Sequence, residues 1–266
     1  MCPPLGKALL NETGQMVCHC LLIETHDGLV LVDTGFGVAE HLDPEGLLGR
    51  RFTTLARIKR EPERAAVRQV ERLGFKPSDV RHIVVTHLDL DHAGGLADFP
   101  GAQVHVYEPE LEAAEARSTF NERNRYKPYQ LKDANLIRHP ADGQGDRWFG
   151  FEAVRPLPGL EIALVPVVGH TRGHCAVAVK SRSGWLLHCG DAYFYHAEVD
   201  PAGPRCTVGL GVYQRIIAID NAARVANQAR LVALARDHSP EITLFCAHDP
   251  KDFDRLTSGS ALRLFA

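Results

Sequence analysis

Short apolar runs alternate along the chain with polar breaks. Residues 17–23, 29–33, 83–86, 104–107, 162–167, 176–180, 185–189 and 242–246 are rich in Val, Ile and Leu. Each is of strand length and bounded by Gly, Pro, Asp or His, which predicts strands. Two stretches repeat at helical spacing instead. Residues 63–73 place Ala66, Val67, Val70 and Leu73 on one face and stop at Gly74. Residues 216–236 place Ile216, Ile219, Ala223, Ala226, Leu231 and Leu234 near that spacing, with Pro240 beyond the end. Early strands follow one another like hairpins, and later ones alternate with helices. The pattern predicts an α/β protein with mixed sheets and helices outside, not a purely parallel doubly wound sheet. Residues 118–158 break the regularity, being long, aperiodic and rich in Arg, Asn, Pro, Gly and aromatics. Such a stretch is expected to form a lid or substrate-covering segment. No low-complexity linker divides the chain, so a single domain over 1–266 is expected.

Composition narrows the function classes. The 266 residues carry 30 Lys+Arg against 33 Asp+Glu, a formal charge of −3. That balance gives no electrostatic footprint for nucleic acid or an anionic membrane, so neither is expected as a partner. No apolar run approaches the roughly 18 residues of a spanning helix. The first sixteen residues lack a basic stretch followed by an apolar one, so no secretory leader is expected. None of the seven cysteines forms a CxxC pair. Cys18 and Cys20 flank His19 on an alternating strand and read as packing, and Cys175, Cys189 and Cys246 read as small buried thiols. Reduced thiols point to the cytoplasm.

The 14 histidines change the picture because of where some of them fall. Directly after the apolar run HIVVT comes His87-Leu88-Asp89-Leu90-Asp91-His92. Four potential ligands within six residues, alternating with leucines, are expensive to bury unless a cation satisfies them. Three other apolar runs end similarly: VPVVGHTRGH in His170 and His174, LLHCGDA in Asp191, and ITLFCAHD in His248 and Asp249. Ligands placed on the ends of rigid strands are held in fixed geometry.

In this order the motifs resemble those of the metallo-β-lactamase fold superfamily: HxHxDH, a distant His, an Asp and a final His. The turn Val32-Asp33-Thr34-Gly35 resembles the early Asp-Thr-Gly of that family. The resemblance spans about residues 17–248 and implies an αββα sandwich with a dinuclear metal site along one sheet edge. It assigns His87, Asp89 and His170 to one ion and Asp91, His92 and His248 to the other. Asp191 would bridge, and Asp33 and His174 would support the ligands from behind. One position departs: the second histidine of HxHxDH is Asp89 here. An anionic, hard oxygen in place of a neutral nitrogen lowers Lewis acidity and moves preference from zinc toward iron or manganese. A carboxylate there also resembles the flavodiiron proteins, although the chain has no room for a flavin domain.

The resemblance implies hydrolysis of an ester, lactone, thioester or amide by a metal-bound hydroxide, with Asp91 passing a proton to the leaving oxygen. The blocks HLDLDHAGG, GHTRGH and GDA look most similar to N-acyl homoserine lactonases. Where those enzymes carry a substrate-orienting Tyr, three residues after the bridging Asp, this chain has Phe194, flanked by Tyr193 and Tyr195. Arg117, Arg123, Arg125 and Lys127 read as a solvated helix face, or as an attraction for an anionic substrate. The expected cofactors are two divalent ions, zinc first, with iron or manganese as alternatives. The expected partner is a small-molecule substrate, with a homodimer also open. Two other functions remain open at this point, a non-haem iron redox enzyme and a non-catalytic metal- or ligand-binding protein.

Overall fold

The computed structural model describes residues 15–141 and 146–258. A first sheet has the order β1-β2-β3-β4-β5, made of Leu21–Thr25, Gly28–Val32, Val80–Val84, Gln103–Tyr107 and Asn135–His139. Its β1–β2 pair is antiparallel and the rest are parallel. Asp146–Trp148 (β6) and Phe151–Ala153 (β7) form a small antiparallel ribbon, bridged onward from Val154 to Leu164. The second sheet has the order β11-β10-β9-β8, from Ile242–Phe245, Gly184–His188, Cys175–Ser181 and Ile162–Pro166. Its β10–β11 pair is parallel and the others antiparallel. Both main sheets are mixed, as the sequence predicts.

Alternation along each strand sorts side chains into layers. Ile23, Val30, Val32 and Val84 of the first sheet meet Ile162, Leu164, Val177 and Val179 of the second. The opposite parity, Leu29, Leu31, Ile83, Val104 and Val106, packs with Val67, Val70, Leu111 and Ala114 of the helices Ala66–Arg72 and Glu108–Ala116. On the other side Ala163, Val165, Ala176, Ala178 and Leu187 pack with Leu231 and Leu234 of the helix Asn221–Asp237. The layers run helix, sheet, sheet, helix. Strands apolar on both faces are what two buried sheet faces require.

Three expectations need correcting. The helix expected over 216–236 is two helices, Val208–Ile217 and Asn221–Asp237. Between them the backbone N–H groups of Ile219 and Asp220 donate to the carbonyls of His170 and Gly169. The Asp220 side chain then caps the second helix by accepting from Ala223 N at 3.0 Å. Residues 118–158 are not irregular. Outside 142–145, which lie beyond the described residues, they contain the helices Phe120–Arg125 and Pro128–Leu131, edge strand β5 and the β6–β7 ribbon. An edge strand exposed on several positions carries too weak an alternation to read from sequence. Finally, residues 17–20 precede β1 rather than opening it. Val17 and His19 donate their N–H groups to His248 and Ala247, so this stretch runs beside the end of β11.

Candidate metal centre

The ends of several strands converge beside the turn that follows β2. Asp33 occupies that turn in the left-handed region, with φ of 55°, a conformation uncommon outside glycine. The strain places its carboxylate under the end of β3, where Oδ1 accepts from Thr86 N at 2.7 Å and Oδ2 from Thr86 Oγ1 at 2.8 Å. The loop after His87 folds back on itself, with the N–H groups of His92 and Ala93 both donating to Asp89 O. Leu88 and Leu90 are buried and anchor it. Buried Glu110 ties this loop to the next, accepting from Leu88 N at 2.9 Å and Gly173 N at 3.1 Å. Gly190, just before Asp191, has φ of +50°, and a Cβ there would lie 2.6 Å from His174 Nε2. Only glycine permits that approach.

All seven residues expected as ligands meet here. His170 Nε2 is 3.0 Å from Asp89 Oδ2 and 3.3 Å from Asp191 Oδ2, and His87 Nε2 is 3.4 Å and 3.9 Å from the same two atoms. On the other side, Asp191 Oδ1 is 3.2 Å from His92 Nε2 and 3.0 Å from His248 Nε2. Asp91 faces this second group, 3.6 Å from His248 Nε2 and 4.0 Å from His92 Nε2. Two sets of donors therefore share one carboxylate.

The remaining ring nitrogens explain why Nε2 faces inward. Nδ1 of His92 lies 2.8 Å from Asp33 Oδ2, and Nδ1 of His248 lies 2.8 Å from the carbonyl of Val17. Nδ1 of His87 lies 3.0 Å from Thr86 Oγ1, whose own proton goes to Asp33. Each Nδ1–H is thereby committed, leaving a lone pair on Nε2. His174 is arranged differently: its Nε2 accepts from Asp191 N at 2.9 Å, so it orients the shared carboxylate. The buried atoms His87 Nε2, His92 Nε2 and Asp191 Oδ1 make no directed hydrogen bond. His87 belongs with Asp89, His170 and Asp191, and His92 with Asp191 and His248, to two groups of donors that each lie within 4.8 Å of one another, an arrangement that fits divalent cations. Burial opposes the charge on Asp191, but His248, His92 and His170 outweigh it and hold its carboxyl well below the usual range.

Arg125 was legible only as one of several surface cations. It is almost wholly buried, its Nε 3.3 Å from Asp89 Oδ1. Its other nitrogens donate to the carbonyls of His170 (3.0 Å) and Ile217 (2.7 Å). Burial disfavours the Asp89 anion, and Arg125 and His87 reverse that, leaving its carboxyl well below the usual range. The extra negative charge that Asp89 brings in place of histidine is thus met by a guanidinium.

The sequence model of the metallo-β-lactamase superfamily matches residues 13–248. The chain belongs to the metallo-β-lactamase superfamily. Among curated relatives, a probable metallo-hydrolase of Mycobacterium tuberculosis is 44% identical over 250 residues, covering 92% of this chain and 79% of its own. An N-acyl homoserine lactonase of a Bacillus species is 30% identical over 233 residues, covering 80% of this chain and 84% of its own. A solved N-acyl homoserine lactone hydrolase, with N-hexanoyl-L-homoserine at its catalytic metal centre, shares the fold with a TM-score of 0.65. It is 24% identical, covering 90% of this chain and 84% of that one. Membership and relatives together support a metal-dependent hydrolase.

Around this metallo-β-lactamase centre the three aromatics expected to meet substrate separate. Tyr193 is fully buried in the layer between the second sheet and its helix, and so is removed from that role. Phe194 stacks on His248, with ring centroids 5.1 Å apart, and Tyr195 packs on His196. Asp249 is occupied by the N–H and Nδ1 of His196, both at 2.6 Å. A further phenol stands beside Phe194 and is half-exposed. Tyr213, on the helix Val208–Ile217, packs edge-on to Phe194 at 5.8 Å. Its pKa is raised by burial and then by Asp91, Asp191 and Asp89. Arg117, Arg123 and Lys127 do not join the cluster; Arg117 and Arg123 bond to each other's backbone. No helix of the described residues is long and apolar enough to cross a membrane.

Proposed function

We propose that the chain hydrolyses an ester, lactone or thioester at a centre holding two divalent ions. The observation that carries this is Asp191, which turns Oδ2 toward His87 and His170 and Oδ1 toward His92 and His248. Asp89 completes the first set and Asp91 the second. When bound, the ions supply Lewis acidity, which polarises a carbonyl and makes water a nucleophile near neutral pH. Asp33, Thr86 and Val17 keep the imidazoles in the tautomer that can ligate. Asp91, the more exposed of the acidic side chains at 25%, is placed to carry a proton to the leaving oxygen. Arg125 returns the centre to the charge it would have with histidine at position 89, so zinc fits as well as iron or manganese. Tyr213 supplies the phenol for substrate orientation in place of Phe194. The same helix leaves Val208, Val212 and Ile216 exposed along a stripe with Tyr213 beside it, which favours a substrate with an acyl chain.

The test is hydrolysis of a panel headed by N-acyl homoserine lactones, with simple esters and thioesters beside them. Activity should disappear on chelation and return with zinc, iron or manganese. Turnover that survives complete metal removal defeats the reading.

A further inference from the structure

Five cysteine positions were read from sequence as packing, and three of them are buried: Cys175, Cys189 and Cys246. Cys18 is exposed, so packing does not explain it. Its backbone is held in place by neighbours on both sides. Val17 N donates to His248 O at 3.3 Å and His19 N to Ala247 O at 2.8 Å, while His248 Nδ1 binds Val17 O at 2.8 Å. Alternation sends the His19 ring onto Phe245 (4.7 Å) and Phe253 (5.2 Å). Cys18 takes the other direction. Its Sγ lies with an Asp91 carboxylate oxygen and a His248 ring nitrogen, all within 4.8 Å of one another. His248 in turn groups with His92 and Asp191, whose Nε2 and Oδ1 are the buried atoms that lack a directed hydrogen bond.

We propose that Cys18 is a thiolate ligand at the second metal position, beside Asp91, His92 and His248. The inference rests on the reading of this cluster as a metal centre. As the metal–sulfur bond forms, the thiol proton leaves to solvent. Charge permits it: against two divalent ions, Asp89, Asp91 and Asp191 together with the Arg125 cation leave a positive balance that one thiolate reduces without reversing. The two positions then differ in kind. The first is hard, with Asp89 and its guanidinium partner, whereas the second gains a soft donor that favours zinc or cobalt over manganese.

Cobalt substitution reads this directly. Apo-protein titrated with Co²⁺ should develop a sulfur-to-cobalt charge-transfer band in the near ultraviolet, retained in Cys20→Ser and lost in Cys18→Ser. The visible ligand-field bands of the ion should persist in both variants. Binding of the second ion should weaken roughly 10–100-fold in Cys18→Ser, at least the effect of losing a supporting partner. The wild type offers a measurement independent of any substitution. At mildly alkaline pH iodoacetamide should alkylate Cys18 in apo-protein, and at least about tenfold more slowly once Co²⁺ or Zn²⁺ is bound, the protection following from ligation. Absence of the band, its survival in Cys18→Ser, or equal alkylation rates overturns the proposal. A Cys18-dependent band without hydrolysis would leave the ligand standing and remove the function, while hydrolysis without the band would do the reverse.

Discussion

Two groups of histidines differ in where the strands carry them, one beyond strand ends of both sheets and the other along β3, β4 and β5 of the first sheet. Beyond the end of β3, His87, His92, His170 and His248 tie Nδ1 to backbone, hydroxyl or carboxylate partners or leave it behind the ring, and bring Nε2 to three carboxylates. Across β3, β4 and β5, His82, His105 and His139 use their nitrogens on one another, at 3.0 Å and 2.9 Å. Among the described residues no carboxylate is hydrogen-bonded to these rings, and burial lowers the pKa of all three, that of His105 to about 3. The contrast shows what makes a ligand. Proximity of imidazoles is common to both groups; in the first, three of the four rings have a non-histidine partner on Nδ1 that fixes the tautomer, and acids face the remaining lone pairs.

The comparison is broken most strongly at Asp191. Asp191→Asn should lower turnover by roughly 10³-fold, the several kcal/mol a bound ion contributes. Metal content measured alongside should fall as well, and full content with full turnover would show that the carboxylate is not shared. Arg125→Leu should destabilise the apo-protein by about 3 kcal/mol, because it strands a buried anion. Denaturant unfolding should show that loss shrinking once metal is added, since a cation then compensates Asp89. The double variant Asp89→His with Arg125→Leu should recover much of it, and no recovery would mean that Arg125 acts through its carbonyl contacts instead. Asp33→Asn should weaken metal binding by about 10–100-fold while leaving the ligands themselves in place. A competition assay with a chromophoric chelator reads this, and unaltered affinity would remove Asp33 from its supporting role.

The ladder gives the smallest effect and sharpens the other side. His105 is neutral in the fold down to about pH 3 but titrates near 6.5 when unfolded. The unfolded chain therefore binds more protons in that window, and stability is complete above about 6.5 and falls as pH drops toward 3. His105→Phe should flatten this slope without changing metal content. An unchanged slope, measured by thermal melts across pH, would mean that the ladder does not contribute to acid sensitivity.

The legible part of the site is the part written locally. The stretch from His87 to His92 concentrates four donors after an apolar run, and His170, Asp191 and His248 each end a similar run. Their convergence follows once the strands are arranged as two packed sheets. Arg125, Glu110 and Tyr213 carried no such mark. Each lies on a helix whose local pattern is that of an ordinary surface segment, and each acts on a loop distant in sequence. Arg125 touches carbonyls 45 and 92 residues away, which no local period encodes. The break after Ile217 was hidden similarly, because the bonds that make it come from the His170 loop.

By itself the sequence determined the strands of the two main sheets other than β5, their two apolar faces and the donors at their ends. Hydrophobic alternation and ligand chemistry are properties of neighbouring residues. Only the tertiary structure decided which nitrogen of each histidine faces inward, that Asp89 is paired with a buried arginine, that Tyr193 turns into the core and that Cys18 stands beside His248. Those outcomes depend on where distant backbone groups come to rest, and burial makes every unmatched charge or lone pair among them costly.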